Sequence, residues 1–318
     1  MVGSKKRLKK SLKSIKKVSL SNLFFILGFL FILLYVILKI QIFSILVFAF
    51  FVLSIYFDVK EGIKKGTRSY IKDLVISILV VLGFWFISAI LLGTYSPYDA
   101  VASCSMLPEL QRGDVVILRK VDITKIAPVI SVNSSFLDIL FSEAKRQEIC
   151  VACNQTTCSY NFVPKNSQFF IYSLSERRLV EPSLNITCGE CIKIYENNTT
   201  QKIPCFKFLT INNKRIFPTK NNSIIVYETS INDTMQGPII HRALLVLNVS
   251  NEYFVLTKGD NNPNIDLQYG VSPKNQKNIV GEVIFRIPLL GYAKLFLFGQ
   301  FYQPYGCNFI IKNSTTAK

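Results

Sequence analysis

Histidine is almost missing from this chain of 318 residues, which holds one, His241. That scarcity leaves a single imidazole for any reaction needing a neutral base near pH 7, and two readings stand for it: a catalytic base, or a core histidine satisfied by hydrogen bonds. Acidic residues are also few. Against 37 Lys and Arg stand 20 Asp and Glu, a formal net charge of +17. Such an excess invites a nucleic-acid partner, but 14 of the 37 basic residues precede Asp73, most of them beside apolar runs, and the tract Lys5-Lys6-Arg7-Leu8-Lys9-Lys10 abuts one. Basic residues placed there orient membrane segments and meet anionic lipid headgroups, so membrane lipids are the expected partner and nucleic acid is not. No small-residue cleavage site follows the first apolar run, which is also longer than the 7 to 15 or so apolar residues of a removable leader, so a cleaved leader is not expected. After Tyr95 no long amphipathic helical pattern appears.

What is present near the amino terminus is a run from Leu23 to Phe57, apolar except for Lys39, Gln41 and isolated small polar residues. As one helix it would reach about 50 Å at a rise of about 1.5 Å per residue, well beyond a bilayer core of about 30 Å. A split at Lys39-Ile40-Gln41 gives spans over about 20–38 and 42–57, and 74–94 makes a third. With a basic cytoplasmic segment over 1–19 inside, three crossings put everything after Tyr95 outside and keep Lys60, Lys64, Lys65, Arg68 and Lys72 inside. Beyond Tyr95 the composition becomes that of a β-rich domain, with short strand-like runs at 115–118, 223–227, 243–247, 253–257 and 281–286.

Of the eight cysteines, six fall between Cys150 and Cys205. Cys150-x-x-Cys153 and Cys188-x-x-Cys191 have the look of zinc knuckles, though the gap between them is long for a zinc ribbon. An outward-facing domain meets oxidising conditions, and six cysteines pair without remainder, so disulfides among Cys150, Cys153, Cys158, Cys188, Cys191 and Cys205 are the favoured expectation and zinc the alternative. No βαβ pattern of a redox Cys-x-x-Cys surrounds either pair.

The stretch Ser103-Cys104-Ser105-Met106-Leu107-Pro108-Glu109-Leu110-Gln111-Arg112-Gly113-Asp114 places a hydroxyl nucleophile between the last apolar span and a strand. It resembles the nucleophile pattern of type I signal peptidases. Ile239-Ile240-His241-Arg242, then Thr257-Lys258-Gly259-Asp260-Asn261-Asn262 with Asp266 beyond, then Val280-Gly281-Glu282-Val283 and Ile287-Pro288-Leu289-Leu290-Gly291-Tyr292 follow in order. These resemble the later boxes of that family's archaeal and endoplasmic-reticulum branch, in which a histidine replaces the lysine base. Two positions depart from the pattern: Cys104 stands where glycine is commonest and Glu109 where threonine or serine often stands.

The resemblance implies a membrane-anchored, mainly β protein. Its amino-terminal transmembrane helices would be followed by a signal-peptidase-like catalytic domain over 95–121 and 223–302, interrupted by a cysteine-rich β insertion over 122–222 and closed by a tail over 303–318. It implies Ser105 as nucleophile, His241 as base, Asp266 as the residue orienting the imidazole and Asp260 in support. The oxyanion donors would be the Ser105 N–H and the Ser103 hydroxyl. No cofactor is implied. Signal-peptide-bearing preproteins would be the substrates and the secretion translocon a neighbour. The location implied is an archaeal cell membrane or the endoplasmic reticulum, with the catalytic domain on the outer or luminal side. Asp114 is read as holding the turn after Gly113. A catalytically silent scaffold and a metal-binding surface module built on the cysteines remain the alternatives.

Overall fold

A computed structural model of the chain describes residues 19–38, 41–64, 66–181 and 184–313. All but the last residue of the expected cytoplasmic segment 1–19 lies outside the described residues, as do Lys39, Ile40 and the end of the expected tail. The chain divides into two compact units, one holding 1–84 and 293–302, the other 85–292 and 303–318.

In the first unit, α1 (Leu20–Leu38) and α2 (Gln41–Lys64) run antiparallel. Phe24 stacks on Phe57 at 5.3 Å, and Phe31 stacks on Phe50 at 5.2 Å and meets Phe43 at 5.8 Å. Those phenylalanines recur at seven-residue steps along each helix, which keeps them on one seam. Helix α2 outlasts the span expected over 42–57, because Asp58 to Lys64 is composed mostly of residues that helices accept. Gly66, at φ +117°, breaks the chain before α3 (Thr67–Leu92). Of the three spans expected, one helix among the described residues is long and apolar enough to cross a membrane, Tyr70–Leu92 within α3; the apolar part of α1, Leu20–Tyr35, is shorter. The first unit is completed by α5 (Tyr292–Leu297) from Ala293 onward, whose Phe296 meets Tyr35 edge-on at 5.1 Å.

The second unit is mainly β. Its strands are β1 (Tyr98–Ala100), β2 (Val115–Arg119), β3 (Val129–Ser131), β4 (Glu148–Cys153), β5 (Cys158–Ser159), β6 (Gln168–Ser173), β7 (Arg178–Val180), β8 (Asn185–Tyr195), β9 (Thr200–Ile211), β10 (Lys214–Ile216), β11 (Ile224–Glu228), β12 (Pro238–Val249), β13 (Glu252–Lys258), β14 (Lys274–Asn275), β15 (Ile279–Ile287) and β16 (Phe309–Asn313). The largest sheet has the order β1-β2-β15-β11-β12-β13-β14, with β3 added parallel to the far half of β12. Because side chains alternate along a strand, Ile225, Tyr227, Ile239, His241, Ala243 and, across the ladder, Thr257 share one face. Val226 and Ile240 point the other way, into a cluster with Val101, Met106, Leu110, Val116 and Leu118. One face therefore carries His241, while the opposite face anchors the loop that carries Ser105.

The remaining strands form two four-stranded sheets, β5-β4-β6-β7 and β10-β9-β8-β16. Each has a small buried cluster of its own, Ile149, Val151 and Cys153 in the first and Cys191, Ile203 and Cys205 in the second, but their largest apolar contact is with the main sheet. Leu184, Ile186, Phe206 and Leu209 share a buried cluster with Leu244, Leu245, Leu247, Phe254 and Leu256 of β12 and β13. The expected boundaries shift accordingly. Residues 126–131 belong to the main sheet, since Ile126 and Ala127 pack beside Tyr227 and β3 pairs with β12. At the other end, β16 pairs with β8 as a strand of the cysteine-rich region where a tail was expected. That region also contains an amphipathic helix where none was expected, α4 (Ser134–Arg146), capped by the Asn133 side chain accepting from Phe136 N at 3.0 Å and burying Leu140 and Ala144.

All eight cysteines are in disulfides: Cys150 with Cys188, Cys153 with Cys158, Cys191 with Cys205, and Cys104 with Cys307. This corrects the zinc alternative. Cys150, Cys153, Cys188 and Cys191 are spread over three disulfides, and a sulfur in a disulfide is no thiolate ligand.

Candidate active site

Ser105 lies in the loop between β1 and β2, whose base is closed by Val101 N donating to Asp114 O at 2.9 Å and Gly113 N to Val101 O at 2.9 Å. Met106 and Leu110 anchor the loop in the core beneath it. Asp114 does hold the turn, accepting from Gln111 N at 2.9 Å. Gly113 sits at φ +89° against the Tyr292 ring, where a side chain would be strained and would collide.

From the strand β12, His241 reaches Ser105: its Nε2 is 2.9 Å from Ser105 Oγ. Its Nδ1 is 2.6 Å from Asp266 Oδ2. With the Nδ1 proton directed at that carboxylate, Nε2 is the acceptor for the serine hydroxyl. His241 and Asp266 are 3% and 2% exposed, so the pair is shielded from water while Ser105 remains half-buried. Gly259 makes this approach possible, since a Cβ there would lie 2.9 Å from His241 Nε2.

Asp266 Oδ2 gathers two further donors that the sequence did not single out, Tyr227 Oη at 2.8 Å and Thr257 Oγ1 at 2.5 Å. Burial by itself would raise the Asp266 carboxyl, but His241 and the two hydroxyls outweigh it and hold it below the usual carboxylate range. Tyr227 moves the opposite way: burial and the neighbouring Asp266 charge push its phenol well above the usual value.

Asp260 is not brought onto the imidazole. Its two oxygens accept from Arg242 Nε at 2.9 Å and Nη2 at 2.6 Å, a bidentate pair that ties the turn after β13 to the start of β12. Lys258 Nζ donates to Gly259 O at 2.9 Å and Asn262 O at 2.7 Å; burial brings it down to about 8 against the pull of Asp260 and Asp266. Ser103 Oγ lies 3.1 Å from Ser105 Oγ, on the exposed side of the nucleophile. The two positions that depart from the family pattern are both engaged, Cys104 in its disulfide and Glu109 with Lys220 Nζ at 2.6 Å, which lowers the Glu109 carboxyl.

A hydroxyl, an imidazole and a buried carboxylate in line constitute an arrangement able to deprotonate the hydroxyl as it attacks. Chains with similar sequences are named as signal peptidase complex catalytic subunit SEC11. That of Scheffersomyces stipitis is 38% identical over 96 residues, 27% of this chain and 53% of that protein. Those of Chaetomium globosum and Candida albicans are 35% identical over 89 residues and 36% over 91, each covering 27% of this chain and 50% and 53% of theirs. The chain thus spans about half the length of these relatives. No family model matches the chain. No solved structure matches it. Over the matched part the chain is similar to the endoplasmic-reticulum branch of type I signal peptidases, as the resemblance of its sequence boxes indicated. Within that branch, the relatives it resembles are catalytic subunits of signal peptidase complexes.

Proposed function

We propose that the protein is a membrane-anchored serine endopeptidase that removes amino-terminal signal peptides from secreted preproteins. The observation that carries this reading is the 2.9 Å approach of His241 Nε2 to Ser105 Oγ with Asp266 2.6 Å behind it. Ser105 attacks the scissile carbonyl while His241 takes its proton, and His241 then returns that proton to the leaving amine. Asp266 fixes the tautomer and stabilises the imidazolium that forms. The Ser105 N–H and the Ser103 hydroxyl face the developing oxyanion. Asp260 acts at a distance, by holding Arg242.

The apolar helix α3 anchors the chain in the bilayer, and the β-rich unit stands on the outer or luminal side, where a preprotein emerges with its leader still in the membrane. The cysteine-rich region between β3 and β11 is an insertion in the peptidase fold, its disulfides suited to that oxidising side. The test is incubation of the detergent-solubilised full chain with a model preprotein bearing small residues before the cleavage site. Cleavage there by the wild type and none by Ser105→Ala is the expected result; a wild type that does not cleave, or Ser105→Ala that does, overturns the reading.

A further inference from the structure

The carboxy-terminal segment is fastened to the backbone on either side of Ser105, and this attachment is unused in the chemistry above. Cys104, the residue before Ser105, is disulfide-bonded to Cys307, and both are almost fully buried. Beside them, the amide of Asn261, 3% exposed, joins the same two segments. The two N–H bonds of its Nδ2 are shared among Cys104 O at 3.1 Å, Gly306 O at 3.0 Å and Phe309 O at 3.0 Å. Its Oδ1 accepts from Ile311 N at 2.8 Å, and its backbone N donates to Ser105 O at 2.7 Å. The far end of the segment, β16, is in turn laid along β8, with Phe309 opposite Tyr195 and Asn313 opposite Cys191.

These bonds have a geometric consequence. The carbonyls of Cys104 and Ser105 belong to the two peptide planes that flank the Ser105 Cα, and with the serine rotamer those planes set where Oγ stands. The first plane also carries the Ser105 N–H. Asn261 holds both carbonyls, Cys104 O through its side-chain amide and Ser105 O through its backbone N–H, and 306–311 holds that amide in the orientation that reaches Cys104 O. We infer that residues 306–311 form a strap that positions the Ser105 nucleophile, locked to it by the Cys104–Cys307 disulfide and oriented through Asn261. Asn261 and Cys307 are positioning residues: they act through Ser105 and touch no substrate. This inference rests on the peptidase reading of Ser105. A misplacement of about 1 Å in a reacting group costs on the order of 100-fold in rate, so release of the strap lowers kcat and leaves substrate binding alone.

The experiment compares wild type, Cys307→Ser, Asn261→Ala and the double variant on the same preprotein. A control removes the remote disulfide, as Cys153→Ser with Cys158→Ser. All assays are run well below each variant's melting temperature. Expected are a kcat lower by about 10- to 100-fold for each strap variant with KM within about twofold, and a double variant little worse than the poorer single one, because both act on one element. The control keeps wild-type kcat. If Cys307→Ser does not fold, Asn261→Ala, which keeps the disulfide, carries the same expectation. Wild-type kcat in the strap variants overturns the strap while leaving the peptidase reading intact. An equal loss in the control assigns the effect to general stability and also overturns it. A wild type that cleaves nothing sinks the peptidase reading and the strap together.

Discussion

Two buried carboxylate clusters in the β-rich unit are built on opposite plans. Around Asp266, one carboxylate oxygen receives three donors, the His241 ring and the hydroxyls of Tyr227 and Thr257, brought in by three neighbouring strands of one sheet. Around Glu148, the ratio is reversed. Arg146 is shared by Glu148 at 2.9 Å, Glu143 at 3.3 Å and Glu176 at 2.8 Å, and the one further cation, Arg178, reaches only Glu176, at 2.7 Å, so two cations serve three acids. The first environment favours the ionised form of Asp266, and the second favours the protonated form of Glu148. Position in the fold follows the same division. Asp266 sits beneath a hydroxyl and an imidazole, whereas the Glu148 cluster lies where α4 and β4 enter the cysteine-rich region, which three disulfides hold. Changes at the first cluster should therefore show in rate, and changes at the second in stability.

The largest expected effect is at the head of the first cluster. Ser105→Ala and His241→Ala should each lower precursor cleavage by about 10⁴-fold or more, with the double variant no worse, since members of one catalytic unit give non-additive losses. Melting temperatures should change little. Cleavage rates and thermal melts of the same preparations check both halves of the statement, and near-normal cleavage by His241→Ala would mean that another base serves. Next comes Asp266→Asn, expected to cost about 10²- to 10⁴-fold in kcat by disfavouring the required tautomer. Thr257→Val and Tyr227→Phe each remove one donor to the same oxygen, and a smaller, graded loss is expected of them. Losses at Thr257 or Tyr227 as large as that of Asp266→Asn would mean that Asp266 cannot hold the imidazole without that hydroxyl.

The second cluster's region should answer in the opposite currency. Cys191 and Cys205 close a loop of 14 residues, and opening it as Cys191→Ala with Cys205→Ala should cost on the order of 3 kcal/mol of stability. Cleavage per folded molecule should stay near the wild-type rate. Denaturant unfolding, with activity measured in parallel, separates the two. An unchanged midpoint would show that the packing of Leu184, Ile186, Phe206 and Leu209 against β12 and β13 is sufficient without the crosslink.

The sequence made some of this legible and some of it not, for physical reasons. Ser105, His241 and Asp266 could be named because the boxes that carry them resemble, in order, those of type I signal peptidases. Their mutual distances could not, because 136 residues separate Ser105 from His241 and strand register is set by the whole sheet. Tyr227 and Thr257 looked like ordinary strand residues; only the ladder, in which Ala243 faces Thr257 and Ile225 faces His241, puts them on the imidazole's side. The resemblance put Asp260 in support of Asp266, yet the turn after β13 sends the two to different partners. The six clustered cysteines suggested a pairing closed among themselves, but nothing local ties Cys104 to Cys307 across 203 residues. Helix α4 was hidden by its length: 13 residues with Asn133 as a cap and Leu140 and Ala144 on one face make a short signal inside a β-rich stretch.

The last expected effect is one of stability and not of rate, a difference in pH response between the two clusters. Burial pushes the Glu148 carboxyl up to about 8, and the hydrogen bond and charge of Glu143 push it the same way against Arg146. An unfolded glutamate titrates near 4.3 or so. Between those values the folded chain binds more protons than the unfolded one, so the stability this group contributes is complete below about pH 4 and is lost as pH rises through about 8. Asp266 has the opposite sign: its folded carboxyl is lowered, so its contribution is present above the unfolded value of about 3.9 and is lost as pH falls through the lower folded one. Glu148→Gln keeps the shape of the side chain and cannot ionise. It should melt with the wild type near pH 5 and above it near pH 9, the gap opening steadily between, while kcat at any one pH stays close to wild type. Thermal melts across that range read the gap directly. A gap that is constant with pH would mean that Glu148 is already ionised in the folded protein throughout, and that Arg146 and Arg178 are enough to hold three carboxylates.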